Sequence, residues 1–291
     1  MLSLERIVQQ GLVYGTATHE GEREDLLLDL YLPETARGVA PEGRADSALP
    51  VIVYFHGGGW VRGSRSGPSG VGFALEMAAE GIAVASVDYR LGPAHPAPAA
   101  IEDCKLAIRW LRTHAEDLGL DADRIVAMGN SAGGHLAAMM GMTRAEDELD
   151  GPGLEGVSSS VAGVIDLCGI TDVEELMRGE RSREWAAQWI PENINAREEL
   201  ARRCSPMRYI HADVPPMLIV HGDADPYVPY DQAARLAEGL KGVGVRSEFV
   251  TIQGAGHFLS IMGSPEVQRQ VRVARRRFLV DLGFLAETVS V

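Results

Sequence analysis

One pattern of hydrophobicity governs most of this chain: short apolar runs of strand length recur, with helix-length segments between them. The runs lie at residues 26–32, 51–55, 82–88, 125–129, 161–167, 217–220 and 245–252. The first alternates, with Leu26, Leu28, Leu30 and Leu32 on one face and Leu27, Asp29 and Tyr31 on the other, as in an antiparallel strand near a sheet edge. The later runs are continuously apolar, which is expected of central parallel strands covered by helices on both faces. The stretches 98–114, 132–143, 230–240 and 266–281 read as helices. The pattern predicts an α/β fold with a mostly parallel, doubly wound sheet, in which ligands bind at the carboxyl ends of the strands.

Two segments interrupt the alternation. Residues 33–49, rich in Pro, Gly and charge, read as a surface loop. Residues 170–206 are long enough to sit over the strand ends as a cap. Within them Trp185 and Trp189 share one helical face, a spacing that suits packing of the cap more than contact with a ligand. A chain of 291 residues can fill this architecture as one domain spanning 1–291, with the cap inserted at about 170–206 and residues 1–12 able to contribute at the N-terminal side.

A formal charge of -14 opposes nucleic acid and anionic membrane surfaces, so a small-molecule partner is expected. The basic cluster Arg275 to Arg277 reads as the solvated face of its helix. Cys104, Cys168 and Cys204 are odd in number and widely spaced, which suits free thiols. The first ten residues lack a basic start followed by an apolar run, so no secretory signal is expected there and a cytoplasmic location follows. Oligomeric state is not legible, a homodimer being one admissible form.

The chemistry concentrates after the strands. Gly129-Asn130-Ser131-Ala132-Gly133 follows the run 125–129 and precedes an Ala-rich helix, the strand-turn-helix setting in which a serine hydroxyl projects from the sheet top. Small flanking residues leave room for the sharp turn, and the helix directs its N-terminal dipole towards an oxyanion. An unaided hydroxyl is a poor nucleophile, so Ser131 needs a base. His257 follows the last strand through Gln253-Gly254-Ala255-Gly256, late enough in the chain for the order nucleophile, acid, base. His221 also follows a strand directly, but the tighter reading makes it structural and leaves the acid to the loop after it. Of the two loop acids, Asp225 is preferred because it clears the strand end before Pro226 fixes the turn, while Asp223 would stabilise the loop.

His221-x-Asp223-x-Asp225 also spells a metal-ligand spacing, but no second His-rich cluster supports it and no metal is expected. His56-Gly57-Gly58-Gly59-Trp60 follows the run 51–55, where successive glycines bring amide hydrogens close to a reacting carbonyl. Gly58, Gly59 and the amide of Ala132 are the expected oxyanion donors. A phosphate loop is disfavoured because Ser64-Arg65 stands where Lys-Ser/Thr belongs, and a dinucleotide fingerprint because Arg62 replaces its third glycine.

Together these blocks resemble the α/β-hydrolase superfamily, and within it the hormone-sensitive-lipase-like esterases: HGGGW at 56–60, DYRLGPAHPAPAAIED at 88–103, GNSAGGHLA at 129–137, PPMLIVHGDADPYVP at 215–229 and GAGHF at 254–258. SAGGHLA and HGDADPYVP are similar to a neighbouring subgroup of feruloyl-esterase-like and carbohydrate-ester hydrolases. The chain departs at Asn130, where many relatives carry an acidic residue, and at Ala94, where Glu is common. The resemblance implies an eight-stranded α/β-hydrolase fold with a small helical cap. It also implies a triad of Ser131, Asp225 and His257, and a cofactor-free serine carboxylesterase for short-chain esters. Trp60, Asn130 and the 170–206 segment are the candidates for substrate contact. An aryl-formamidase or amidase, an acetyl or feruloyl carbohydrate esterase, and a non-catalytic ligand-binding scaffold are the alternatives.

Overall fold

The computed structural model describes residues 8–33, 48–191, 196–259 and 263–287. The surface loop expected at 33–49 lies almost wholly outside the described residues. The strands are β1 (Val8–His19), β2 (Glu22–Tyr31), β3 (Leu49–Phe55), β4 (Ala83–Val87), β5 (Leu120–Asn130), β6 (Gly163–Leu167), β7 (Met217–Gly222) and β8 (Ser247–Ile252). The helices are α1 (Pro68–Ala79), α2 (Ala99–Thr113), α3 (Ala115–Leu118), α4 (Ala132–Met142), α5 (Glu184–Trp189), α6 (Arg197–Arg203), α7 (Tyr230–Gly242) and α8 (Pro265–Asp281).

All eight strands form one sheet in the order β1-β2-β4-β3-β5-β6-β7-β8. The first three in that order pair antiparallel, and from β4 to β8 every pairing is parallel. Continuously apolar β3, β4, β6 and β7 are the strands with covered faces, as their composition requires. Along β3, Val51, Val53 and Phe55 join the core under α2, α4 and α7, whereas Ile52 and Tyr54 join that under α1 and α8. This alternation produces two cores from one sheet.

The antiparallel strand expected from the leucine alternation is β2, with Leu26, Leu28 and Leu30 turned into the core. Its other face is covered as well. Asp29 is buried there and accepts from Arg65 Nε at 2.9 Å. One edge of the sheet is β1, which the apolar periodicity did not reveal because its register slips at two places, between Gln9 and Leu12 and between Val13 and Gly15.

Helix α8 begins as its sequence suggests, with Ser264 accepting from Val267 N at 3.3 Å and Pro265 in the first turn. The solvated reading of its arginines holds for only part of the cluster. Arg275 is buried, with its guanidinium 5.0 Å from the Phe73 ring centroid and Nη2 donating to Glu76 at 2.6 Å, while Arg276 pairs with Glu80 and Arg277 with Glu248. These contacts fasten α8 to α1 and β8, because long cationic side chains bury their stems while their charges find partners.

Candidate active site

Ser131 occupies the turn between β5 and α4 with φ 57° and ψ -121°, a conformation that an L-residue adopts only under constraint. The neighbours supply that constraint. A Cβ on Gly133 would stand 1.9 Å from Phe55 O, and one on Gly129 would stand 2.3 Å from the Gly133 backbone. No side chain fits at either position, so the tight turn, not chance, dictates both glycines. The Ser131 amide is tied to Leu167 O at 2.8 Å, which sets the elbow against the end of β6.

Beside it runs the loop from His56, in which Gly58 (φ 124°), Gly59 (φ 64°) and Trp60 (φ 60°) all have positive φ. The loop is braced from below by Tyr89, whose hydroxyl donates to His56 O at 2.7 Å and whose ring stacks on the His56 imidazole at 4.2 Å. Among the described residues, the amides of Gly58, Gly59 and Ala132 have no hydrogen-bond acceptor. They are the three amides expected from the sequence, and donors without partners are what a developing oxyanion needs.

Asp225 and His257 converge from the loops after β7 and β8. His257 Nδ1 lies 2.6 Å from Asp225 Oδ2. The carboxylate only accepts, so Nδ1 carries the proton and the Nε2 of a neutral ring presents its lone pair. Oδ1 accepts from the amides of Tyr227 at 2.8 Å and Val228 at 3.0 Å. Burial raises the Asp225 carboxyl, but hydrogen bonds from His221 and His257 outweigh it and hold the group well below the usual carboxylate range. Asp223 takes the other role foreseen for it, with Oδ1 accepting from Gly254 N at 2.6 Å and so securing the loop that carries His257. Gly222 lets the two loops touch, because a Cβ there would stand 2.2 Å from Ala255 O.

Ser131 and His257 line one cleft of about 320 Å³, together with Gly58, Gly59, Asn130, Trp185, Tyr227 and Phe258. Asn130 therefore stands where substrate contact was expected, its Oδ1 accepting from the Tyr54 hydroxyl at 2.7 Å. Trp60 does not. It is fully buried, stacked on Trp189 at 4.2 Å, with Nε1 donating to His135 Nδ1 at 3.1 Å. A positive φ at Trp60 turns the indole inward, and Trp185 becomes the tryptophan of the cleft. The i, i+4 tryptophan pair thus divides, Trp189 packing as expected and Trp185 facing the cavity.

Sequence reasoning gave His135 no role. It sits on α4 one turn after Ser131 and its Nε2 donates to Cys204 O at 2.6 Å, so both ring nitrogens are used to join the glycine loop, α4 and the segment around Cys204. Burial pushes its imidazole down to about 4, which keeps it neutral. Its place in SAGGHLA, one helical turn beyond the elbow, was the available signal.

Cys168, Asp225 and His257 bring possible ligand atoms within 4.8 Å of one another. Their donors are otherwise engaged, since Asp225 and His257 bind each other and the Cys168 thiol, pushed far up by burial, donates to His257 O at 3.2 Å. The trio spelled out in sequence separates, Asp223 turning to Gly254 while His221 and Asp225 meet.

The BD-FAE family model matches residues 28–240. Esterase LipC of Mycobacterium tuberculosis is 34% identical over 218 residues, covering 73% of this chain and 54% of that protein. Carboxylesterase NlhH of the same species is 49% identical over a shorter stretch of 92 residues, 32% of this chain and 28% of that protein. The chain spans about half the length of the curated relatives it matches over most of its own length. Among solved structures, the apo form of Thermogutta terrifontis esterase 2 superposes with a TM-score of 0.78 at 30% identity, covering 99% of this chain and 98% of that one. The same enzyme phosphonylated by cyclosarin gives 0.77 at 31%, covering 96% of each chain.

Proposed function

The chain belongs to the BD-FAE family and has the α/β-hydrolase fold, and from that premise we propose that it is a serine carboxylesterase acting on short-chain carboxylic esters. One observation carries the reading: His257, paired with Asp225 at 2.6 Å, shares a cleft with a serine held at φ 57° beside three amides that have no acceptor among the described residues. Ser131 Oγ attacks the ester carbonyl while His257 Nε2 takes its proton, and the carbonyl oxygen, now negative, receives the amides of Gly58, Gly59 and Ala132. The tetrahedral intermediate collapses as His257 returns the proton to the leaving alcohol, leaving an acyl-serine. Water, deprotonated by the same imidazole, then releases the acid and restores the hydroxyl. Asp225 steadies the imidazolium throughout without taking the proton.

The segment at about 170–206 serves as the cap on a single catalytic unit, with Trp185 and Asn130 shaping the space for the ester's arms. The reaction needs no cofactor. The net charge of -14 favours a small uncharged substrate over nucleic acid or an anionic membrane. Among the described residues no helix is long and apolar enough to cross a membrane. Three free, buried cysteines support a reducing, cytoplasmic setting. Replacing Ser131 with Ala is expected to lower turnover of p-nitrophenyl acetate by at least about 10⁴-fold with the unfolding temperature unchanged. Activity kept near the starting level would refute the assignment.

A further inference from the structure

His221, at the end of β7, is fully buried, and its Nε2 lies 3.2 Å from Asp225 Oδ2 and 3.2 Å from Val228 O. A backbone carbonyl and an ionised carboxylate can only accept, so Nε2 must carry a hydrogen, bonded to Val228 O with Asp225 Oδ2 equally near. The Tyr230 ring, edge-on at 5.9 Å, orients the imidazole. Oδ2 is thus gripped from two sides, by His257 and by His221, while Oδ1 is held by two amides.

We propose that His221 is a positioning residue for the reaction, acting through Asp225: its N–H fixes the carboxylate oxygen that orients His257 and withdraws part of that oxygen's negative charge. This rests on the esterase reading above. A loop staple to Val228 O alone would affect stability; a second donor on Oδ2 must also affect how firmly His257 holds a proton, because charge left on Oδ2 stabilises the imidazolium.

Other ionisable groups surround this pair. Asp166 on β6 is raised to about 6 by burial against the opposing influence of His221, and among the described residues its Oδ2 and His221 Nδ1 have no hydrogen-bond partner. Cys168 reaches His257 O, Tyr227 packs 5.4 Å from the His257 ring, Tyr230 borders His221, and Arg183 donates to Tyr227 O. Asp223 lies across the loop at Gly254. None of these gives Oδ2 another hydrogen bond among the described residues, which leaves His221 and His257 as its donors.

The test combines two variants with a spectrum of the unaltered protein. For His221→Leu the acid limb of the kcat/KM profile on p-nitrophenyl acetate is expected to rise by about half to one pH unit, with the plateau about tenfold lower. His221→Gln, which keeps an N–H, is expected to return both towards the starting values. A folded His221→Leu protein with an unmoved limb overturns the proposal. Should the leucine variant fail to fold, the glutamine variant and ¹⁵N-histidine NMR of the intact protein decide. A protonated Nε2 on His221 whose resonance shifts as His257 is titrated supports the proposal; a bare Nε2, or one indifferent to that titration, overturns it. A protein that hydrolyses no ester and takes no fluorophosphonate on Ser131 would instead refute the esterase reading, leaving the spectrum to judge His221 alone.

Discussion

At the ends of β3 and β5 the site is held by backbone: Gly133 and Gly129 leave no room for a Cβ, Ser131 is forced to positive φ, and the amides of Gly58, Gly59 and Ala132 have no acceptor among the described residues. At the ends of β7 and β8 the work falls to side chains, with Asp225, His257 and Asp223 joined to each other or to loop amides by hydrogen bonds of 2.6 to 2.8 Å, and His221 Nε2 3.2 Å from Asp225 Oδ2. In the proposed reaction the nucleophile must stand at one point against fixed amides, which sterics enforce well. The base must gain and lose a proton in each cycle, which requires groups whose charge the surroundings can tune. Alteration of the first half should therefore show in folding, and alteration of the second in turnover with the fold kept.

Gly133→Ala attacks the backbone half where it is tightest, and the expected outcome is loss of soluble active protein or destabilisation of about 3 kcal/mol or more, read by urea unfolding. A stable, active Gly133→Ala protein would break the comparison. Asp225→Asn attacks the other half. Its kcat should fall by about 10⁴-fold with the fold kept, since the amide can present the wrong partner to Nδ1. The two outcomes differ in kind, one in folding and the other in turnover.

His135 ties the backbone half to the segment around Cys204 and titrates in a defined window. Its folded-state value of about 4 lies below the ordinary 6.5, so its contribution is complete above pH 6.5 and declines as pH falls towards 4. The loss amounts to about 3 kcal/mol over that window. Asp166, raised to about 6, runs the other way, its contribution being complete at low pH and lost as pH rises through 6. Urea unfolding of His135→Gln between pH 4 and 7 should therefore lack the acid-side decline relative to the unaltered protein; an identical pH dependence would contradict the assignment. The smallest effect expected is that of Asp223→Ala, which frees Gly254 N and should lower stability by about 1 kcal/mol while slowing turnover only a few-fold.

The same division explains what could be read in the sequence. Glycines at positions that exclude a Cβ leave a mark that local reasoning can interpret, so the elbow at Ser131 and the amides of Gly58, Gly59 and Ala132 were legible. Parallel strands buried on both faces were equally plain from their continuous apolar runs. Side-chain partnerships across distant segments leave no such mark. Nothing local to Trp60 shows that it turns inward onto Trp189 and His135, nor does its helix alone show that Arg275 lies beneath Phe73 against Glu76. His221 was legible as a residue at a strand end, but its bond to Asp225 depends on how the loop between them folds back. Edge strand β1 escaped because its bulges break the period-two signal.

The most direct test of the convergence of Ser131, His257 and Asp225 is peptide mapping after fluorophosphonate treatment. A single adduct on Ser131 in the unaltered protein, forming at least about 10³-fold more slowly in a folded His257→Gln variant, is the expected result. An adduct on another residue, or a Ser131 adduct whose rate is indifferent to His257, would contradict the account.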